Sequence, residues 1–241
     1  MTMTAVPATG QGRPLLRVAE LFGPTFQGEG ASVGQRAVFV RLSGCNLDCG
    51  WCDTPYTWDW RRFNQREESK QMPVDDVLDW VLRHDATLVV ITGGEPLVQQ
   101  RCLRPLVEAL SMAGRQVEIE TNGTIAPDPA LTAHVHLFNV SPKLPGSGVE
   151  NARAIRTSAL AALCATGKAV FKFVIAAPGD VEEVVGLQAR LGLVPVWVMP
   201  QGTTADAVLT GARALAEVSL AHGWNLTLRL HVLLWGDERG R

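Results

Sequence analysis

Cys45-Asn46-Leu47-Asp48-Cys49-Gly50-Trp51-Cys52 holds three of the chain's five cysteines within eight residues. Three and then two residues separate them. Thiolates in so tight a run are ligands for zinc or for an iron–sulfur cluster, set against the plain alternative of an incidental loop. A structural zinc site takes four protein ligands, and only three are offered here. A four-iron cluster held by three cysteines keeps one iron without a protein ligand. Such an open position is what a catalytic metal site leaves for substrate or cofactor.

On either side of this run, β-rich stretches alternate with helical ones. Arg17 to Phe22 and Ala37 to Leu42 read as strands, the second running straight into the cysteines. Pro73 opens a helix with Val74, Val77, Leu78 and Val81 on one face; Leu103, Leu106, Val107 and Leu110 form the next apolar face. Strands are expected over Thr87–Ile91, Gln116–Glu120, Val135–Val140, Ala169–Ile175, Val194–Met199 and Leu226–Val232. Between them lie a short helical piece at Pro127–Ala133, a helix capped by Asp180 and running to Leu191, and an Ala-rich helix capped by Thr204. Helical signal is weak between Gly123 and Ala169. The alternation predicts an α/β domain with a parallel sheet. Several strands end in loops of a distinctive kind: Thr92-Gly93-Gly94-Glu95-Pro96, Glu120-Thr121-Asn122-Gly123, Ser141-Pro142-Lys143 and Pro200-Gln201-Gly202. In parallel barrels the C-terminal ends of strands carry the active site, so these loops are expected to converge.

In this order the motifs resemble the radical S-adenosylmethionine (SAM) superfamily. Within it, Gln27-Gly28-Glu29-Gly30 and Cys52-Asp53-Thr54 resemble the 7-carboxy-7-deazaguanine synthases. The resemblance covers about residues 18 to 232. It implies a partial (β/α)6 barrel, open at one side and with reduced helices. Cys45, Cys49 and Cys52 would ligate a [4Fe-4S] cluster whose fourth iron chelates SAM. SAM would be met by Trp51, Asp53, Gly94, Glu120, Ser141, Pro142, Lys143 and Gln201. The pterin substrate would be met by Phe26, Gln27, Gly28, Glu29, Arg41 and Thr92, and Mg²⁺ by Thr54. The implied activity is a carbon–nitrogen lyase converting 6-carboxy-5,6,7,8-tetrahydropterin to 7-carboxy-7-deazaguanine. A deoxyadenosyl radical takes hydrogen from C6, the ring contracts and ammonia leaves.

The residue chemistry agrees at several points. Glycines at 93 and 94 allow close approach of backbone to a ligand. A Glu29 carboxylate can accept paired N–H donors from a guanine-like edge. Arg41 is a charge inside an apolar strand, which suits a bidentate carboxylate clamp or an ion pair at a barrel edge. Thr54 before Pro55 serves equally as a turn residue. Cys102 and Cys164 read as buried small hydrophobes, and Trp58, Trp60, Trp80, Trp197, Trp224 and Trp235 as packing or interface residues. Of the histidines, only His231 falls near a strand end.

Two other activities share parts of the pattern. A glycyl-radical-enzyme activase has the cysteine spacing and similar loops but acts on a protein backbone. An iron–sulfur sensor or electron carrier needs no GGEP loop and does not cleave SAM.

Composition sets the remaining bounds. The 241 residues, 46% hydrophobic, suffice for one full core: a single domain over 17–241 behind a mobile tail of residues 1–16. A net charge of −2 gives no footprint for nucleic acid. The tail lacks signal-peptide character, and no apolar run is long enough to span a membrane. Clustered reduced thiols point to the cytoplasm. A flavodoxin or ferredoxin as electron donor and a homodimer complete what the resemblance implies. The polar end of the chain, Trp235 to Arg241, reads as mobile and carries no assigned contact.

Overall fold

A computed structural model describes residues 14–236 and 238–241. Nine strands form one sheet: β1 (Leu15–Phe26), β2 (Arg36–Leu42), β3 (Lys70–Pro73), β4 (Leu88–Gly93), β5 (Gln116–Thr121), β6 (Leu137–Val140), β7 (Ala169–Ile175), β8 (Val196–Pro200) and β9 (Asn225–Leu226). Their order is β3-β1-β2-β4-β5-β6-β7-β8-β9. Every pairing from β2 through β9 is parallel, while β1 pairs antiparallel with both β2 and β3. β3 and β9 are not joined, so the sheet curves as an open barrel with two free ends.

The outer faces of the inner strands are apolar because helices cover them, and the parallel crossovers require those helices. Leu88 to Ile91 of β4 are all buried. The helix Val74–Leu82 buries Val74, Val77 and Val81; the helix Gln100–Met112 buries Leu103, Leu106, Val107 and Leu110. These join Val89, Ile91, Ile119, Phe138, Phe171 and Phe173 in the main core. The crossovers around β6 are thin: four-residue turns of helix at Pro129–Thr132 and Asn151–Ala154, then the helix Thr157–Ala165.

Five details differ from the sequence-based expectation. β1 starts at Leu15 with Leu16 fully buried, so the domain begins before residue 17; residues 1–13 of the expected tail lie outside the described residues. The segment after the cysteines contributes an unforeseen edge strand, β3. Asp180 does not cap its helix from outside. It lies inside Gly179–Leu191 and accepts the Ala176 and Ala177 N–H groups of the preceding loop. β9 stops at Leu226. The chain leaves the sheet there because the Leu230 N–H donates to the Gly28 carbonyl at 2.8 Å, and Leu230–Trp235 is helical. Finally, the chain end is anchored, as described below; its Asp237 lies outside the described residues.

Candidate active site

A cavity of about 610 Å³ opens at the C-terminal ends of the parallel strands. All the site residues expected from the sequence line it except Pro142, which is buried behind Ser141 and Lys143.

The cysteine loop is held from several sides. Asn122 Nδ2 donates to Asn46 Oδ1 at 3.0 Å, and Asn46 Nδ2 donates to Thr124 Oγ1 at 2.8 Å. The Gly50 N–H donates to the Ser147 carbonyl at 2.9 Å. The Gly93-Gly94 pair has a structural reason of its own. A Cβ on Gly94 would stand 2.2 Å from the Gly44 carbonyl oxygen, and one on Gly93, at φ +132°, 2.0 Å from that of Leu42. The backbone that these glycines admit is the run leading into Cys45. The fully buried Glu95 then joins this loop to the next: it accepts the Leu97 N–H, the Thr121 hydroxyl at 2.8 Å and the Asn122 N–H at 2.7 Å. Trp51, Ser141 and Lys143 form one patch. Lys143 Nζ donates to Ser141 Oγ at 3.0 Å and lies 5.5 Å from the centre of the Trp51 ring, whose Nε1 donates to the Gly146 carbonyl.

At the other end of the cavity, Gln27 Nε2 donates to Glu118 and to Glu120, and Thr92 Oγ1 donates to Glu120 Oε2 at 2.7 Å. Glu118 also accepts from Ser32 Oγ at 2.5 Å and Asn139 Nδ2 at 3.4 Å; burial first and the Glu120 charge second push its carboxyl up to about 7. Glu29 is not an unpaired carboxylate. Lys172 donates to its Oε2, and Arg229 Nε meets its Oε1 at 3.1 Å. Burial alone would raise Glu29, but Lys172, Arg229 and His231 outweigh it and hold the carboxyl well below its usual range. His231 itself is lowered, by burial above all. Its Nδ1 occupies the place where a side chain on Gly28 would begin, 2.0 Å from that Cβ position.

Arg41 adopts the ion pair that the sequence left open. Register sets it opposite Glu20 of β1, and Nε meets Glu20 Oε2 at 3.0 Å. Tyr56 OH and Arg239 Nε also reach Glu20, at 2.9 and 2.5 Å, and Arg239 Nη2 reaches Glu68 at 2.9 Å. The expected mobile end is thereby pinned at the cavity mouth.

Residues 39–131 match the radical SAM superfamily. The 7-carboxy-7-deazaguanine synthase of Pyrobaculum aerophilum is 38% identical over 95% of this chain and 98% of its own. That of Hyperthermus butylicus is 37% identical over 97% and 99%. The chain belongs to the 7-carboxy-7-deazaguanine synthase family. The crystal structure of QueE from Escherichia coli shares the fold, with a TM-score of 0.70 at 29% identity over 91% of this chain and 96% of that one.

The donor set suits the iron–sulfur cluster of a radical SAM enzyme and of 7-carboxy-7-deazaguanine synthases. All three cysteines are free thiols in the cavity wall. Burial pushes Cys45 up to about 12, with the charges of Glu95, Cys49 and Cys52 adding to it against the Leu47 N–H; Cys49 is raised as well, chiefly by burial. Burial thus disfavours a bare thiolate at Cys45 and Cys49, a cost that a bound cation would offset. The cysteine sulfurs already have N–H donors, from Trp58 Nε1 to Cys52 at 3.3 Å and from the Leu47 N–H to Cys45 at 3.4 Å. Trp58 is thus a site residue rather than the packing residue expected. Cys102 and Cys164 lie on helices away from the cavity and are half-buried, not buried.

Thr54 sits before the 3₁₀ turn Pro55–Thr57 but does not cap it with its side chain; among the described residues its hydroxyl meets Cys52 Sγ at 3.8 Å. Among the described residues, no group of three or more His, Cys, Asp or Glu side chains is drawn together to hold a single metal ion, so no ready-made ion site stands beside Thr54. Likewise, no helix among them is long and apolar enough to cross a membrane.

The sequence reading missed Glu118, Asn139, Lys172 and Arg229. Lys172 carries the same signal that singled out Arg41, a lone charge within an apolar strand, while Glu118 shares its strand with Glu120.

Proposed function

We propose that the protein is a radical SAM lyase converting 6-carboxy-5,6,7,8-tetrahydropterin to 7-carboxy-7-deazaguanine with loss of ammonia, on the way to queuosine or another deazapurine. One observation carries the reading. In a chain of this family, the cysteine loop, the strand-end loops and the Gln27–Glu29 loop share the wall of one cavity.

Cys45, Cys49 and Cys52 would hold three irons and leave the fourth to the methionyl end of SAM. The reduced cluster, when bound, supplies the electron that cleaves SAM and begins the radical chemistry. Trp51, Asp53, Gly94, Glu120, Ser141, Lys143 and Gln201 would surround SAM. Phe26, Gln27, Gly28, Glu29 and Thr92 would orient the pterin, and Arg41 would turn from Glu20 toward its carboxylate. Glu29 is ionised and ready to accept ring N–H groups, because Lys172 and Arg229 keep it charged. Thr54, with a hydroxyl not engaged in the turn, would contribute an oxygen to Mg²⁺ together with substrate oxygens. A flavodoxin or ferredoxin would supply electrons, in the cytoplasm, to a homodimer.

The test is anaerobic reconstitution with iron and sulfide, then SAM, dithionite and the pterin, with mass analysis of products. The expected products are 7-carboxy-7-deazaguanine and 5′-deoxyadenosine. SAM cleavage with the pterin untouched would instead indicate an activase, and an intact cluster that never cleaves SAM would indicate an electron carrier.

A further inference from the structure

Arg229 follows β9, and its guanidinium meets three segments. Nε meets Glu29 Oε1 at 3.1 Å, Nη2 meets Asp53 Oδ2 at 2.5 Å, and Nη1 donates to the Gly202 carbonyl at 2.8 Å. Glu29 belongs to the loop between β1 and β2, Asp53 follows the last cysteine of the run, and Gly202 follows Gln201 beyond β8. On the functional reading above, the first lies on the pterin side and the other two on the SAM side. The Arg229 side chain is 7% exposed, so solvent does little to screen its pair with Glu29. Its backbone is docked on the same loop through the Leu230 N–H and Gly28 carbonyl.

We propose that Arg229 is a positioning residue that couples the two halves of the cavity, so that a pterin bound against Glu29 raises the affinity for SAM beside Asp53. This inference rests on the functional reading above.

The guanidinium is a rigid plane, so ordering one edge orders the other. Asp53 is the loose arm, 47% exposed against 16% for Glu29. A ligand that donates hydrogen bonds to Glu29 fixes the plane, and Asp53 then loses less freedom when SAM binds. That is positive cooperativity without a large conformational change, and it is reciprocal by linkage. A lysine supplies charge but no plane, and one ammonium does not span all three acceptors.

The experiment is equilibrium binding of SAM to the reconstituted protein without reductant, so that nothing turns over, in the presence and absence of saturating pterin. In the wild type the pterin should tighten SAM binding by about fivefold or more. In Arg229→Lys and Arg229→Gln, cluster absorbance reports folding, and the ratio should fall to near one while both ligands still bind. An unchanged ratio in Arg229→Lys with an intact cluster overturns the proposal. So does complete loss of pterin binding in that variant, which would make Arg229 part of the pterin site alone. A wild-type ratio of one with both ligands bound overturns this inference only. Wild-type protein that binds SAM and never the pterin overturns the functional reading, and this inference with it.

Discussion

Gln27 Nε2 donates to Glu118 Oε1 across 2.9 Å, tying the loop after β1 to a carboxyl in the middle of β5. The same nitrogen reaches Glu120 at 3.0 Å, so two acidic groups share one amide inside the barrel. Glu118 is fully buried, and Asn139 beside it has a buried Oδ1 with no partner among the described residues. A protonated Glu118 puts no second charge beside Glu120 in this buried site; an ionised one does.

Protein stability should therefore depend on pH through Glu118. Its folded-state value, about 7, lies above the ordinary 4.5, so the folded protein holds this proton more tightly than the unfolded chain. The contribution is intact below about pH 4.5 and is lost as pH rises toward about 7, amounting to about 3 kcal/mol. Urea unfolding between about pH 5 and 8 should show this decline. Glu118→Gln, which cannot ionise, should flatten it; an equal slope in the variant refutes the assignment.

Cys49→Ala should abolish the iron–sulfur absorbance and SAM cleavage together, because only three thiols face the cavity as a set. Cys102→Ala and Cys164→Ala should alter neither. A SAM-cleaving cluster in Cys49→Ala would remove that residue from the ligand set.

Gly94→Ala should displace the entry to the cysteine loop, since the new methyl would stand 2.2 Å from the Gly44 oxygen and 3.0 Å from Cys45 Cβ. A stability loss of about 2 kcal/mol or more is expected, together with poor cluster loading. Gly179→Ala, with nothing within 4 Å of the added methyl, is the matched control and should be neutral or slightly stabilising. Thermal unfolding and iron content of the two variants decide the matter.

Arg41→Ala should weaken pterin binding by about 2–4 kcal/mol if Arg41 leaves Glu20 for the substrate carboxylate. Glu20→Gln separates the two roles, because it releases Arg41 without removing it. Pterin affinity in Glu20→Gln should match or exceed that of the wild type. Unchanged affinity in Arg41→Ala would return Arg41 to the ion pair alone.

Thr54→Ala should keep the cluster and SAM cleavage but lose most of the Mg²⁺ stimulation of product formation. Thr54→Ser, which retains the hydroxyl, should keep much of it. Wild-type turnover that is equal with Mg²⁺ and with a chelator would dismiss the metal.

What was legible in the sequence was local. The cysteine spacing, the helix faces Val74–Val81 and Leu103–Leu110, and the strand-end loops each declare themselves within a dozen residues, and the structure brings those loops to one cavity. What was hidden depends on distant partners. Arg229 looks like one polar residue in a strand-like run, and its partner Glu29 is 200 residues away. That pairing, with the Leu230–Gly28 hydrogen bond, ends β9 early, where a strand over Leu226–Val232 was expected. Lys172 was legible in kind, since a charge in an apolar strand demands a partner, and Glu118 less so, in a strand that already carries Glu120. Only the folded arrangement shows that their partners are the loop residues Gln27 and Glu29.

The anchoring of Arg239 on Glu20, across 219 residues of chain, bears on biosynthesis. The barrel strands fold from sequence made early, but the mouth of the cavity and the far side of Glu29 await residues 229–239. A chain that stops short of Arg229 thus presents a cysteine loop without its finished enclosure. Such truncated chains should fold their central sheet yet fail to protect whatever iron they take up.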